Sequence, residues 1–298
     1  MLNKTSAYIA IIISMFVWSM SFIWTKELLA VGFSPIIIIT LRLVISAVLL
    51  FLIFYTTKKI DRIDRKDYPL FLLLSFFEPF LYFFGENWGL KYVDASLGSI
   101  IIATIPIFVP IGLYFIHGEK MRWQIIIGVV LTFIGLFVMS YSGKENFNAN
   151  LRGIALMFVA VIASVGYSAT LYKVIEKYEP ITITTTQNII GAIYYLPIFF
   201  IFEWKTFLSL PFNFSTLYPL FALAILCSSI AFIFYSFSAK KLSVAKTTIF
   251  TNAIPIMTLL LVWVLGKEEM TINKVIGMLV VIVGVFLSQK DFKKKQII

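Results

Sequence analysis

Residues 105–137 read IPIFVPIGLYFIHGEKMRWQIIIGVVLTFIGLF, and residues 254–286 read IPIMTLLLVWVLGKEEMTINKVIGMLVVIVGVF. Pro106 aligns with Pro255, Glu119 with Glu268, Met121 with Met270, Gly128 with Gly277 and Gly135 with Gly284. Every pair is 149 positions apart (255 − 106), half of the 298-residue chain, and the block needs no gap. Apolar matches alone carry little weight in so greasy a chain. Aligned proline, glutamate and glycines identify an internal repeat, which sets the architecture. Lys91 and Lys240 extend it at the same offset, whereas Pro35 and Pro180 match at 145 (180 − 35), so the first connection is longer in the first half.

Composition gives the repeat its setting. Sixty per cent of residues are hydrophobic, 13% are charged, and mean hydropathy is +0.95. Soluble domains carry about 45–50% apolar and ~25% charged residues. The apolar excess falls in runs long enough to cross a bilayer, so the chain reads as a polytopic all-α membrane protein. Ten spans are expected, near 7–25, 34–55, 69–88, 95–116, 123–141, 153–172, 181–202, 217–238, 247–266 and 272–289. The first apolar run has no small-x-small cleavage pattern after it and reads as an uncleaved helix. The net charge of +10 does not point to nucleic acid, because the basic residues sit in short loops at helix ends.

With the N-terminus inside, seventeen Lys and Arg fall in inside segments and seven in outside segments, while Arg42 lies within a span. This bias places both termini in the cytoplasm. Five spans separate the repeats, an odd number, so the second half is inverted. The expected organisation is a first five-helix repeat over 1–142, a short polar linker over 143–151 and a second repeat over 152–298. Inverted repeats place substrate near the midplane between halves that open alternately.

The chain resembles the EamA-type branch of the drug/metabolite transporter superfamily. The resemblance covers nearly the whole chain. It is carried by TLRLVISAVLL at 40–50, GLKYVDAS at 89–96, Pro106 with His117-Gly118-Glu119, and Pro255 with Gly266-Lys267-Glu268. His117 departs from the leucine that usually precedes Gly-Glu. The resemblance implies a secondary transporter, and the family suggests efflux; no cofactor is expected. Its cargo would be amino acids or related metabolites, drugs, or nucleotide sugars and sugar phosphates. Short loops and abundant lysine suit a bacterial inner membrane.

Glu78 and Glu86 stand in the third span with Tyr82 between them. Ionisable groups at membrane depth are costly and read first as functional. Glu78, near mid-span, is a candidate for a proton or a cationic group. The other reading is a neutral carboxyl in one interhelical bond. Glu86, near the outer end, also reads as an interfacially solvated group. Pro79 removes a backbone donor and frees the Ser75 carbonyl, giving a kink or hinge beside the carboxylate. Arg42 stays charged and wants a partner; a structural ion pair or bonds to carbonyls are expected. The matching residue, Gln187, is neutral, so the halves differ chemically.

Ser14, Trp18, Ser21 and Thr25 form one helical stripe. Ser164, Tyr167, Ser168 and Tyr172 form another in the sixth span. Each fits either a wet cavity wall or helix packing through hydroxyls. Asn252 offers a substrate amide contact or a bond to a neighbouring helix. Trp18, Glu78, Tyr82, Glu86, Tyr167 and Asn252 are therefore the expected substrate-binding set. Arg42, Pro79, Pro106, Pro255, Gly128 and Gly277 are expected structural or hinge positions. Glu119 and Glu268 recur at span ends and read as stabilising the connecting turn or as pairing with neighbouring lysines at the interface. His117 stands alone at a span end, and the glycines match no phosphate-binding spacing.

A membrane-embedded enzyme needs a nucleophile with a base, or metal ligands. One histidine and one cysteine, His117 and Cys227, make that a distant rival. A phosphate site wants several buried cations, and only Arg42 is expected inside the bilayer. A small-molecule substrate and membrane lipid are the expected partners, with proton coupling through Glu78 as the mechanism to test.

Overall fold

The computed structural model describes residues 4–57, 60–109, 123–140 and 147–289. All regular structure among them is helical. In chain order the helices are α1 (Lys4–Ala30), α2 (Pro35–Thr57), α3 (Arg65–Leu90), α4 (Ala95–Val109), α5 (Trp123–Ser140), α6 (Phe147–Ile175), α7 (Pro180–Leu208) and α8 (Phe214–Leu242). Then α9 runs from Val244–Ile249 through a tight turn at Phe250–Asn252 into Ala253–Val264, and α10 is Ile272–Gln289. Seven are long and apolar enough to cross a membrane. Shorter apolar stretches are Ala95–Val109, Ile126–Val138 and Ile272–Leu287. Large apolar side chains such as Phe133, Phe137, Ile201, Phe202 and Phe286 face outward, the surface hydrocarbon solvates. His117, Glu119 and the start of the 143–151 junction lie outside the described residues.

The helices α5 and α10, mates in the repeat, pack directly on each other. A Cβ on Gly135 would stand 2.7 Å from the Gly277 carbonyl oxygen, and one on Gly284 would stand 2.9 Å from that of Gly128. The contact is reciprocal: Gly135 and Gly284 are mates, as are Gly128 and Gly277. Gly128 and Gly277 enter this contact through their carbonyls, and it is Gly135 and Gly284 whose missing Cβ the close approach requires. The helices that carry Pro106 and Pro255 are also interrupted at matching places. In α4 a turn occupies Ala103–Thr104, and in α9 the tight turn ends at Asn252. Each proline thus enters a new helical segment, where its missing N–H costs little.

Polar contacts gather at two ends of the bundle. At one, Lys177 Nζ bonds Asp67 Oδ1 at 2.8 Å and the Tyr178 hydroxyl donates to Asp67 Oδ2 at 2.7 Å. There the Glu179 amide donates to Asp61 at 2.8 Å, and Lys240 pairs with Glu179 at 2.9 Å. The hydrogen bond to Asp67 raises the Lys177 ammonium above its ordinary range. The same bond holds the Asp67 carboxyl below its ordinary range, so the contact is present at neutral pH and is lost as alkaline pH passes the raised lysine value or as acid pH protonates Asp67.

At the other end, Lys26 donates to the carbonyls of Leu90 and Val93 at 3.0 and 2.9 Å, and Lys267 pairs with Glu27 at 2.9 Å. Lys274 bridges Asp94 and Glu268, at 2.9 Å to each. Glu268 accepts from the Ser96 amide at 3.1 Å and from the Ser96 hydroxyl. It thereby caps α4, whose own Asp94 makes no side-chain cap. The turn-stabilising role read for Glu268 takes this form: it ties α9 to the start of α4. Glu268→Ala strands a helix-end amide and half-frees a mostly buried lysine. A loss of about 1–3 kcal/mol is expected, read as a lower thermal midpoint in detergent. An unchanged midpoint would reduce Glu268 to a surface charge.

Candidate functional site

The third helix does not run straight through Glu78. Residues Phe76–Leu81 widen into a π-type turn, Glu78 itself takes extended torsions (φ −147°, ψ 117°), and the Glu78–Pro79 peptide is cis. Such widened turns gather at functional sites. The disruption is larger than the freed Ser75 carbonyl expected from Pro79 alone. Two glycines receive it. A Cβ on Gly191 of α7 would lie 2.3 Å from Pro79 Cγ, and one on Gly166 of α6 would lie 2.5–2.6 Å from three Phe77 ring atoms. The Tyr195 hydroxyl donates to the Phe80 carbonyl at 2.6 Å. The turn is therefore clamped from both sides, and Glu78 faces a central cavity.

That cavity, of about 50 Å³, has room for a few waters. Residues of both sequence halves line it. From the first half come Trp18, Arg42, Glu78, Tyr82 and Glu86. From the second come Tyr167, Phe232, Tyr235, Thr248 and Thr251. Glu78 and Glu86 are 7% and 5% exposed. Tyr82 donates to Glu86 at 3.1 Å. Among the described residues Glu78 has no hydrogen-bond partner, so its carboxyl is available to whatever enters. The Trp18 ring lies 5.0 Å from Phe232 and 5.2 Å from Tyr235, and its Nε1 donates to the Cys227 carbonyl at 3.2 Å.

That carbonyl is free because α8 also widens, over Leu223–Ala231. Other carbonyls of the segment accept from Ser14 and Asn188. Asn188 also donates to Ser46 at 2.7 Å, which shares a hydrogen with Ser229 at 2.6 Å. This cluster anchors Arg42. The guanidinium Nε donates to Ser228 Oγ at 2.9 Å, and its plane sits 4.1 Å from the centre of the Phe83 ring. Arg42 is 1% exposed and its Nη1 has no partner among the described residues. A buried guanidinium edge held rigid and unpaired is suited to a carboxylate.

Five of the six expected binding residues thus meet in one cavity: Trp18, Glu78, Tyr82, Glu86 and Tyr167. Glu86 is not at a solvated helix end, because α3 continues to Leu90 and Lys26 closes over it. Asn252 is 8% exposed, both its amide atoms are unpartnered among the described residues, and it does not line the cavity. The tight turn at Phe250–Asn252 rotates it away from the face a straight helix would give it. Arg42, read from the sequence as structural, lines the cavity instead. Of the two hydroxyl stripes, Ser21, Ser164 and Ser168 reach the cavity, whereas Ser14 serves packing through its bond to the Ala231 carbonyl. Among the described residues no three His, Cys, Asp or Glu side chains cluster as metal ligands do.

A family model described as the EamA-like transporter family matches residues 5–141 and again 151–289. An "Uncharacterized transporter" of Archaeoglobus fulgidus is 28% identical over 281 residues, covering 94% of this chain and 97% of the relative. The "Uncharacterized transporter YoaV" of Bacillus subtilis is 26% identical over 88% of this chain and 90% of its own length. A solved crystal structure superposes with a TM-score of 0.69 at 16% identity, covering 96% of this chain and 97% of that one.

Proposed function

The chain belongs to the EamA-like transporter family, and from that premise we propose a secondary transporter that works by alternating access. Ten spans form two inverted five-helix repeats, one on each side of the 143–151 junction. Three observations support this arrangement: the family model matches twice, the glycine contacts of α5 and α10 are reciprocal, and α4 and α9 break at matching places. The protein is an integral membrane protein. Both termini face the cytoplasm of a bacterial inner membrane. The Lys177–Asp67 and Lys240–Glu179 contacts join only segments that the charge count assigns inside, and the Lys26, Lys267 and Lys274 contacts only segments assigned outside.

The cargo is an amino acid or a related small zwitterion, moved outward. The observation that carries this is one buried cavity that holds both an unpartnered guanidinium edge and a carboxyl without a hydrogen-bond partner among the described residues. Arg42 Nη1 is free for a carboxylate, Glu78 for an ammonium, and Trp18, Tyr82 and Tyr235 supply aromatic walls with cation–π capacity. A single buried guanidinium is poor provision for a phosphate dianion. Proteoliposome counterflow with pooled labelled amino acids tests the proposal. Saturable exchange, competed by zwitterions and not by their decarboxylated amines, is the expected result. Exchange of drugs or sugar phosphates with no amino-acid competition would overturn the cargo while leaving the transporter.

Arg42→Lys is expected to weaken exchange. Lysine keeps the charge but loses the fork that binds Ser228 and a carboxylate together, so half-saturation should rise by roughly ten- to a hundredfold, the weight of a charged hydrogen bond or two. Half-saturation at the wild-type value would return Arg42 to a purely structural role.

A further inference from the structure

A second, larger space lies one helical turn from the central cavity on the same three helices. It is a cleft of about 490 Å³ between the end of α6 and the junction of α8 with α9, lined by Tyr172, Glu176, Ala239, Lys241 and Val244 among others. Ser168, Tyr235 and Thr248 line the cavity. Four residues along each helix, Tyr172, Ala239 and Val244 line the cleft. Four residues are one turn, about 6 Å. On α8 and α9 the layer between cavity and cleft is therefore Tyr235 and Thr248, 5% and 3% exposed, and on α6 the buried Leu171 lies between Ser168 and Tyr172. The Tyr235 hydroxyl meets Thr248 Oγ1 at 3.3 Å and so ties α8 to α9, while Thr248 Oγ1 also donates to the Val244 carbonyl of its own helix at 2.9 Å. Tyr235 also packs on Trp18, so a movement of its ring would open the layer and reshape the cavity wall together.

We propose that this cleft is the mouth of the translocation route on the face that carries Lys177 and Lys240, and that the Tyr235–Thr248 pair is the gate between mouth and site. The proposal rests on the transporter reading but not on any particular cargo. The mouth suits a small zwitterion, since Glu176 and Lys241 offer charge of each sign at its rim. It is also hinged. Ser243, between α8 and α9, holds φ at 92°, and its hydroxyl accepts from the Lys246 amide. The segment bearing Thr248 thus starts at a sharp turn instead of continuing α8.

The test is the labelling rate of single cysteines by a membrane-impermeant thiol reagent in sealed vesicles, on a Cys227→Ser background that removes the only native thiol. Tyr172→Cys, in the cleft, identifies the side on which the mouth opens. Ser168→Cys, in the cavity, reports passage through the gate. Thr248→Val and Tyr235→Phe each delete the bond with little change of shape. Both are expected to speed Ser168→Cys labelling roughly two- to tenfold, the weight of one hydrogen bond, and only from the side that labels Tyr172→Cys. An unchanged rate in both variants, or equal acceleration from both sides, would overturn the gate. No substrate is used, so absence of amino-acid exchange would refute the cargo and leave this result standing.

Discussion

Glu78→Gln is expected to lower flux by removing the ammonium's partner, to make the flux that survives indifferent to a pH gradient, and to leave the protein as stable as before, or more so. The last two results follow from burial. A carboxylate at membrane depth is costly to ionise, by at least about 2.5–3.5 kcal/mol on insertion scales. Among the described residues none compensates it with a hydrogen bond. A glutamine of the same shape removes that cost and the titration together. The charged and titratable groups around it are Arg42 from α2, Tyr82 and Glu86 on its own helix, Tyr167 from α6 and Tyr235 from α8. Of these Glu86 is the rival proton carrier, so Glu86→Gln is the necessary companion. It should shift the pH profile and retain a response to the gradient, because Glu86 is already bonded to Tyr82. The measurement is proteoliposome flux with and without an imposed gradient, alongside thermal unfolding. Gradient-driven flux surviving in Glu78→Gln would move the proton to Glu86 or remove it from the mechanism. A sharp drop in thermal midpoint would mean that Glu78 is a structural group.

Much of this site is legible in the chain, and the limits of legibility are physical. Trp18, Glu78, Tyr82 and Tyr167 stand out because an ionisable group, or an aromatic ring with an N–H or O–H donor, in an apolar run needs a reason, and helical spacing orients them. Asn252 is misplaced by the same rule, since the spacing presumes a straight helix and α9 turns tightly at Phe250–Asn252. The widened turn of α3 is signalled by Pro79, yet its partners are not. Gly166 and Gly191 have no repeat mates, and their role exists only once α6 and α7 lie against α3. Arg42 is readable as a buried charge and unreadable as a site residue. Its orientation is set by Ser228, Ser46 and Asn188, single small polar residues with no spacing to betray them.

Gly191→Ala should cost more than its one methyl suggests. The added Cβ would lie 2.3 Å from Pro79 Cγ, 3.1 Å from its Cδ and 3.3 Å from Leu43 Cδ1. Proline's ring cannot swing aside as a long side chain would. Either α7 retreats from α3, or the turn that aims Glu78 shifts. Overpacking of this kind costs about 1–3 kcal/mol. Because the strain falls on the turn, flux per folded molecule should drop as well. Gly284→Ala separates the two effects. Its Cβ would lie 2.9 Å from the Gly128 carbonyl, a similar strain between α5 and α10, neither of which lines the cavity. It should lower the thermal midpoint and leave flux per folded molecule unchanged. Thermal unfolding and counterflow on the same preparations decide it. If Gly191→Ala behaves like Gly284→Ala, α7 simply moves away and the turn keeps its shape. If Gly191→Ala loses flux beyond its loss of folded protein, the glycines that flank Pro79 belong to the functional site although no substrate touches them.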